Sequence, residues 1–399
     1  MPAYSGKFQY AGDAGEILQQ GGCQVTFDRE TCIVTPAGGL PLAFDLGDID
    51  GVAPGEWDLR LTLYTGRSVT LKQFGAAFSN MSRELLEAWR DRAVRCLLLE
   101  DLEEVGRYRG AANGAPGEVR IYGSNFAFLP DAGLPVQWRL AEVDAIVFDD
   151  STYSIILSRG ADRFVLSKLA KKTDEVLAKL RELMARLREQ AAAALHDVFP
   201  FLSADALLRL QGAMPEGGSA SLAVLREIDS RLPDALIARA VDEPLQPYFE
   251  AMRARATEDA LMAGFKFVRA GEDEGGESAS AAQNGEAALF FWFFFPLPNQ
   301  VAAWEATTGS GRATYFFRAP APFAGSARAL TRGLALVNFR REPVYLPDAS
   351  LEREPRFHRY AIGARKLPDL RNLRAAYIGR AIHSSPEEWQ QQTDALLAR

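Results

Sequence analysis

Histidine, cysteine and arginine are the residues of this chain whose side chains could carry chemistry, and only arginine is clustered. Histidine is the commonest catalytic base and metal ligand, but the three histidines lie far apart, at His196, His358 and His383. The cysteines form no CxxC pair or other metal-ligand spacing, and we interpret them as small core residues. They are Cys23, Cys32 and Cys96. The sequence therefore predicts no catalytic residue, no cofactor, no metal and no enzymatic activity.

His383 is followed directly by two serines, Ser384 and Ser385, which raises the question of a base beside a nucleophile. Adjacent residues rarely have the geometry for that pairing. A serine followed by Pro386 is instead typical of a helix start, with proline at the first helical position. We therefore interpret the serines as part of a helix N-terminus.

Basic residues are concentrated near the C-terminus. Eight of them fall within 28 positions: Arg353, Arg356, Arg359, Arg365, Lys366, Arg371, Arg374 and Arg380. Arginine makes bidentate contacts with phosphate and carboxylate groups, and the interleaved aromatic residues can stack on bases or pack in a core. The candidates for binding an anion or a partner are Arg356, Arg359, Arg365, Lys366, Arg371, Arg374 and Arg380. The spacing of Arg371, Arg374 and Arg380 predicts a basic stripe if these residues face solvent along one helix.

The charge of the chain is uneven, which allows three roles for these residues. The net charge is −7, but residues 309–383 contain 14 Arg and Lys against 5 Asp and Glu. This stretch therefore has a net charge of +9, and the rest of the chain has −16. The basic residues neutralise acids elsewhere in the chain, bind an acidic protein, or bind nucleic acid or an anionic membrane surface. We favour the first role and leave the other two open.

The N-terminal half contains an internal repeat. Residues 24–52 (QVTFDRETCIVTPAGGLPLAFDLGDIDGV) align without a gap on residues 118–146 (EVRIYGSNFAFLPDAGLPVQWRLAEVDAI) at an offset of 94. Phe44 matches Trp138 within an alternating apolar pattern, which predicts that both occupy the same core position of a strand. A pair of acids also recurs, as Asp48 and Asp50 and as Glu142 and Asp144. We interpret the acids as a solvated rim rather than as a general acid and base.

Each copy continues with strands joined by hairpin signals and then changes to a helical period. Apolar residues at helical spacing occupy residues 81–99 and 173–190, with Asn80 and Thr173 as suitable N-caps. A helix in that place can bury the open apolar face of an antiparallel sheet. The glycine-rich residues 106–117 are interpreted as a linker between the copies.

Strands followed by a closing helix, repeated at an offset of 94 residues, resemble the pleckstrin-homology-like (PH-like) fold, including its bacterial versions. The resemblance covers residues 22–190 and implies two tandem PH-like domains, over 22–105 and 115–190. It also implies a module that binds proteins, peptides or lipid headgroups. Family members that bind phosphoinositides carry several Lys or Arg around the first hairpin. The matching loops here, Asp28-Arg29-Glu30 and Tyr122-Gly123-Ser124-Asn125, lack such a cluster, so the resemblance favours a protein partner.

The second half predicts two further regions. Helical spacing interrupted by Pro and Gly indicates a helical connector over residues 191–262. Strand patterns followed by helical ones indicate a C-terminal α+β domain over residues 263–399, in which 368–383 is one helix. Residues 271–286 are rich in Gly, Ser and acids, which is typical of a mobile loop. The predicted fold class is α+β, with two tandem PH-like sheets each closed by a helix, the connector and the α+β domain.

These features predict a non-enzymatic adaptor or scaffold that binds another protein through its tandem PH-like domains. The alternative is binding of anionic lipid or nucleic acid through the arginine-rich C-terminal domain. No basic stretch before an apolar run is visible at the N-terminus. The longest apolar run, residues 287–297, is about half of the roughly 20 residues that a spanning helix needs. We therefore expect a cytoplasmic protein without a transmembrane segment.

Overall fold

The protein is described by a computed structural model, which covers residues 3–97, 103–131, 133–257, 260–268, 288–307 and 312–398. The chain divides into two compact units. The first contains Met1–Arg181 and Asp348–Leu367, and the second contains Glu182–Pro347 and Pro368–Arg399. The fold class is α+β, as predicted, with antiparallel curled sheets in the N-terminal half, helices in the middle and an α+β C-terminal part. The predicted mobile loop, residues 271–286, lies outside the described residues.

The first sheet has seven antiparallel strands in the order β4-β3-β2-β1-β7-β6-β5. The strands are β1 (Ala3–Ala11), β2 (Ile17–Phe27), β3 (Thr31–Pro36), β4 (Leu42–Asp45), β5 (Ile49–Pro54), β6 (Asp58–Leu63) and β7 (Ser68–Lys72). A 3-10 turn at Leu46–Asp48 joins β4 to β5, and helix α1 (Phe78–Leu97) follows the sheet. One face of α1, with Met81, Leu85 and Trp89, is buried in one core with the inner side chains of the sheet. Burial of these apolar side chains stabilises the folded state of the first copy.

The second sheet repeats this strand order as β11-β10-β9-β8-β14-β13-β12. The strands are β8 (Glu104–Ala112), β9 (Ala115–Tyr122), β10 (Asn125–Pro130), β11 (Val136–Arg139), β12 (Ala145–Asp149), β13 (Ser154–Arg159) and β14 (Asp162–Ser167). A 3-10 turn at Leu140–Glu142 again precedes the fifth strand, and helix α2 (Thr173–Val198) follows the last. The repeat in the sequence is thus matched by a repeat in strand order.

Two local predictions about this half are wrong. Residues 106–117 are not a linker, because they form most of β8 and the start of β9. Glycine is needed there for close packing, since a Cβ added at Gly117 would lie 2.5 Å from the carbonyl oxygen of Leu129. Neither Asn80 nor Thr173 is an N-cap. A 3-10 turn at Gly75–Ala77 leads directly into α1, which begins at Phe78, and another at Ala170–Lys172 leads directly into α2, which begins at Thr173.

Phe44 and Trp138 occupy the same register position in the two sheets. Phe44 pairs with Cys32, and Trp138 pairs with Phe126, which is the residue that matches Cys32 in the repeat. Trp138 is buried, and its ring centroid lies 5.6 Å from that of Phe164. Phe44 is only partly buried. The repeat therefore keeps the position of the core aromatic while its burial differs.

Helices and one further sheet make up the rest of the chain. The helices after α2 are α3 (Ala204–Ala213), α4 (Leu222–Ile228), α5 (Leu232–Ala240), α6 (Gln246–Arg253), α7 (Phe323–Leu336), α8 (Glu342–Tyr345), α9 (Asp348–Arg353), α10 (His358–Lys366), α11 (Pro368–Ala376) and α12 (Pro386–Leu397). Of these, α9 and α10 belong to the first unit. Within the described parts of the chain, no helix is long and apolar enough to span a membrane.

The sheet of the second unit has six strands in the order β15-β16-β17-β18-β19-β20. They are β15 (Ser219–Ser221), β16 (Met262–Val268), β17 (Ala288–Leu297), β18 (Val301–Ala306), β19 (Ala313–Arg318) and β20 (Tyr377–Ile382). In β17 the residues from Phe290 to Phe295 are all buried, which fits a strand covered on both faces. The consecutive strand order differs from that of the first two sheets, so this sheet is not a third copy.

Trp138 allows a stability test of the repeat. We expect Trp138→Ala to lower the free energy of unfolding by about 3–5 kcal/mol, because it removes a buried aromatic ring and leaves a cavity. Phe44→Ala is the matched control at the same register position, and its smaller burial should make the loss smaller. Denaturant unfolding followed by circular dichroism measures both. Equal losses would contradict the different burial of the two rings.

The three cysteines give a prediction for pH. Burial raises the pKa of the Cys32 thiol to about 12, and those of Cys23 and Cys96 to about 11, from an ordinary value of 9. The unfolded chain therefore loses these protons first as pH rises. The stability that the thiols contribute is complete below about pH 9 and is lost as pH rises toward 11 and 12.

Thiol labelling with a chromogenic disulfide measures this protection. At pH 8 we expect three rapidly reacting thiols in denaturant and slow reaction of all three in the native protein, because thiolate is the reactive form. Rapid native labelling would contradict the burial of the cysteines.

Candidate functional site

The seven candidate basic residues are divided between the two units at Leu367. Arg356, Arg359, Arg365 and Lys366 belong to the first unit. Arg371, Arg374 and Arg380 belong to the second. Each group is therefore positioned by the packing of its own unit.

Lys366 is the most buried of the first group, with a side chain only 2% exposed. Helix α10 carries it to the corner of the first sheet where the turn Leu46–Asp48 leads into β5. Its Nζ donates to Asp50 Oδ1 at 2.7 Å and to the carbonyl oxygen of Ile49 at 2.8 Å. A buried ammonium group requires such partners, because removing it from water costs several kcal/mol.

Arg365 holds the neighbouring acid of the same corner. Its guanidinium donates to Asp48 and, at 3.2 Å, to Glu352 Oε1. It also lies 4.0 Å from the centroid of the Tyr64 ring, which is a cation–π contact. Burial raises the pKa of Asp48 above its ordinary value, and the positive charge of Arg365 opposes that rise. Arg365 therefore favours the charged form of the Asp48 carboxyl group.

Apolar packing supports these ion pairs. Ile362 of α10 is fully buried. A Cβ added at Gly47 would lie 2.8 Å from Ile362 Cδ1 and 3.1 Å from Cys96 Sγ, so glycine allows α10 to approach the turn closely. Phe357 and Tyr360 are buried on the same segment. The first copy thus holds a distant segment of its own chain by both apolar and charged contacts.

The interpretation of the recurrent acids as a solvated rim is wrong for the first copy, where both are paired with α10. In the second copy, residues of its own β13 hairpin contact the equivalent acids. Arg159 Nη1 donates to Glu142 Oε2 at 3.0 Å, and the backbone amide of Gly160 donates to Asp144 Oδ2 at 2.5 Å. The cation for this corner therefore comes from β13 in one copy and from α10 in the other.

Arg356 and Arg359 lie over aromatic rings of their own segment. The guanidinium of Arg356 is 4.4 Å from the centroid of Phe357, and that of Arg359 is 5.2 Å from the centroid of Tyr360. Arg356 is exposed and pairs with Glu354 at 3.2 Å. Because Phe357 and Tyr360 are buried, their rings are not open to stacking by a base.

The predicted stripe of Arg371, Arg374 and Arg380 is wrong because the helix ends too early. Helix α11 stops at Ala376, and the next residues form β20, which pairs with β19. Arg380 therefore lies on a strand. Hydrogen bonding to β19 overrides the helical spacing that the sequence showed, which is a common effect of tertiary context.

Two of these three arginines are used inside the second unit. Arg374 donates to the carbonyl oxygens of Pro343 and Leu346, the latter at 2.8 Å. The guanidinium of Arg380 lies 3.8 Å from the centroid of the Tyr345 ring. Arg371 is exposed. The second group is therefore a set of separate side chains rather than one basic surface.

His383 belongs to a buried polar network of the second unit. Its Nε2 lies 3.0 Å from Thr314 Oγ1 and 3.4 Å from Glu305 Oε2. Thr314 also donates to Glu305 at 2.6 Å and accepts from Trp389 Nε1 at 2.9 Å, and the Tyr248 ring stacks on the imidazole at 4.1 Å. Thr314 is fully buried, so its hydroxyl does not face solvent.

The two serines after His383 are used at the start of α12, as predicted. Ser385 is the N-cap and accepts a hydrogen bond from the backbone amide of Glu388. Among the residues that the structure describes, no group of three or more His, Cys, Asp or Glu is placed to hold a metal ion.

An apolar row on the outer face of the second sheet is not predicted by the sequence patterns. Val147 pairs with Ile156, and Ile156 pairs with Val165, across β12, β13 and β14. The row at the same register of the first sheet consists of Ala53, Arg60 and Thr70. The gapless repeat ends at residue 146, so alignment alone did not bring these positions together.

Each copy also exposes one aromatic residue at the same hairpin. Trp57 directly precedes β6 and is 66% exposed, and Tyr153 directly precedes β13 and is 52% exposed. The strand registers make the two positions equivalent. We call Trp57 and Tyr153 the hairpin tips.

No protein-family model matches the sequence, and no curated protein matches it. Similar solved structures include the C-terminal domain of an unknown protein from Leishmania infantum, with a TM-score of 0.22 and 14% identity, covering 27% of this chain and 99% of that chain. They also include the pleckstrin homology domain of USP37, with a TM-score of 0.18 and 17% identity, covering 22% of this chain and 97% of that chain. The curled antiparallel sheets of this chain fit a PH-like fold.

Lys366 allows a test of the first-copy corner. We expect Lys366→Ala to lower the stability of this corner by about 3 kcal/mol, because it leaves Asp50 and the Ile49 carbonyl without their buried partner. The value lies at the low end for a broken buried pair since Asp50 is 36% exposed. Amide hydrogen exchange should become faster in α10 and at the start of β5.

Arg356→Ala is the matched control from the same segment, and its exposed ion pair should contribute less than about 0.5 kcal/mol. Unchanged exchange of α10 in the Lys366 variant would show that the ion pair does not hold this segment.

Proposed function

We propose that this protein is a non-enzymatic, cytoplasmic adaptor that binds another protein through two tandem PH-like domains, one built on each seven-stranded sheet. Two sheets of the same strand order, each followed by a helix, support the proposal. The helices and the six-stranded sheet of the second unit complete the proposed organisation.

One observation supports protein binding most directly. The first copy binds a helix that is distant in sequence, α10, by burying Ile362 and pairing Arg365 and Lys366 with Asp48 and Asp50. A sheet-plus-helix unit in this chain is therefore already used as a binding surface for a protein segment. This is the type of recognition that an adaptor requires.

Ion pairs connect the two copies within the first unit. An adaptor that binds one partner through two surfaces requires such a connection. Arg120 of β9 is 3% exposed and pairs with Asp91 of α1 at 2.6 Å. Arg90 of α1 pairs with Asp131 at 3.0 Å. Because α1 belongs to the first copy and β9 to the second, these ion pairs connect the two copies within one compact unit that carries both hairpin tips.

The hairpin tips provide the test. Exposed aromatic residues dominate the energy of many protein interfaces, so we expect the double variant Trp57→Ala and Tyr153→Ala to lose a protein that cross-links to the wild-type chain in cells. Quantitative mass spectrometry of the cross-linked products measures the loss. Leu208→Ala, which removes another exposed apolar side chain (68% exposed) from α3, is the control and should keep the partner. If the hairpin-tip variant still cross-links to the same protein, binding through the hairpin tips is contradicted.

Binding of anionic lipid or nucleic acid is the alternative, and it would have to use the exposed basic residues. In the arginine-rich stretch, residues 353–380, these are Arg353, Arg356 and Arg371. Nucleic-acid affinity would fall with salt, with a logarithmic slope of about −0.9 per phosphate contacted.

We expect the full chain to bind DNA, RNA and anionic vesicles no better than a variant with those three arginines changed to Ala, at low and at high salt. Salt-sensitive binding that the variant loses would support the alternative and contradict the adaptor proposal.

Catalysis provides a separate test. Because His383 is buried with Glu305 and Thr314, its replacement would disturb folding. His196→Asn and His358→Asn are the informative variants, and an adaptor should keep its cellular function in both.

A further inference from the structure

Three apolar residues lie side by side on the outer face of the second sheet. The fold does not require apolar side chains at these positions. Val147 is 53% exposed, and Ile156 and Val165 are partly exposed on the neighbouring strands. Adjacent strands lie about 4.8 Å apart, so the three side chains cover about 10 Å. Contiguous apolar side chains at a protein surface indicate a contact that covers them.

The first sheet is an internal control for this row. At the same register it has Ala53, Arg60 and Thr70, in place of three β-branched apolar residues. Both sheets have the same strand order and each is followed by a helix, so the fold tolerates polar side chains there. The apolar row of the second sheet is therefore a property of that surface and not a requirement of folding.

Two opposite charges flank the row at opposite corners. Asp149 lies on β12 two residues beyond the row in one direction, and Arg163 lies on β14 two residues beyond it in the other. Side chains two residues apart on a strand share a face, so both lie on the face of the row. Hydrogen bonds from Ser151 and Thr152 lower the pKa of Asp149, which keeps its carboxylate charged at neutral pH.

We propose that this face binds a second copy of the same chain. A two-fold axis that lies in the face, at right angles to the line from Asp149 to Arg163, exchanges the two corners. The two rows then cross at Ile156, and Asp149 of each copy meets Arg163 of the partner subunit. A two-fold interface uses the same patch on both subunits, so this patch has to complement itself. The diagonal placement of one acid and one base satisfies that condition.

The size of the patch sets the strength of the dimer. A stable interface buries about 800 Å² on each partner, and three apolar residues with their flanking charges cover less. We therefore expect a weak, reversible dimer with a dissociation constant in about the micromolar range.

Sedimentation velocity of the full chain over about 1 to 200 µM tests this proposal. We expect the mean mass to rise with concentration for the wild type. Ile156→Arg places in the second sheet the residue that occupies this register in the first, and it should weaken the dimer by more than about ten-fold. Arg163→Glu should weaken it too, because two acids then meet. Arg60→Lys on the equivalent face of the first sheet is the control and should dimerise like the wild type.

Circular dichroism shows whether each variant is folded. If Ile156→Arg does not fold, Val147→Lys at the exposed end of the row replaces it, with the same expected loss. A monomer at all concentrations, or wild-type dimerisation of a folded row variant, overturns the proposal. If the chain is monomeric and the row variant loses a cross-linked protein, the row belongs to a different partner. The hairpin-tip experiment is independent of these results, so the adaptor proposal can stand or fail separately.

Discussion

The structure of the first unit depends on the rule that a buried charge must be paired. Lys366 is almost completely buried, and its ammonium group is stabilised by Asp50 and the carbonyl of Ile49. Neither partner is near it in sequence, so the segment that carries Lys366 has to pack against the first sheet. Residues 348–367 consequently belong to the first unit, although the residues on both sides of them belong to the second. The predicted internal role of the arginine-rich region is supported at Arg365 and Lys366, whose charges offset Asp48 and Asp50.

The two sheets show how copies of one fold diverge. Their cores keep the same strand order and place Phe44 and Trp138 at the same register. Their surfaces differ where side chains face outward, because packing no longer restricts residue type there. The acidic corner is neutralised by Arg365 in one copy and by Arg159 in the other. Strand order and register are therefore the same in both copies, while the cations that pair with the acidic corner differ.

The second unit uses its arginines and its histidine for structure. Arg374 satisfies two carbonyl groups that precede α9, and Arg380 lies over Tyr345. His383 is enclosed with Glu305 and Thr314 beside the aromatic core. A guanidinium group that donates to backbone carbonyls prevents the desolvation penalty of unpaired acceptors. Arginine content alone was therefore a poor guide to an anion-binding surface.

The sequence by itself determined the features that depend on neighbours along the chain. The repeat, the order of strands before helix, the buried strand β17 and the Ser385 cap follow from periodicity and local hydrogen bonding. Only the tertiary structure decided that residues 377–382 are a strand, because their partner is β19. It also decided that Lys366 meets Asp50, 316 residues away, and that Val147, Ile156 and Val165 share one face. Strand register and long-range ion pairs depend on contacts that form only in the folded chain, and no local pattern encodes them.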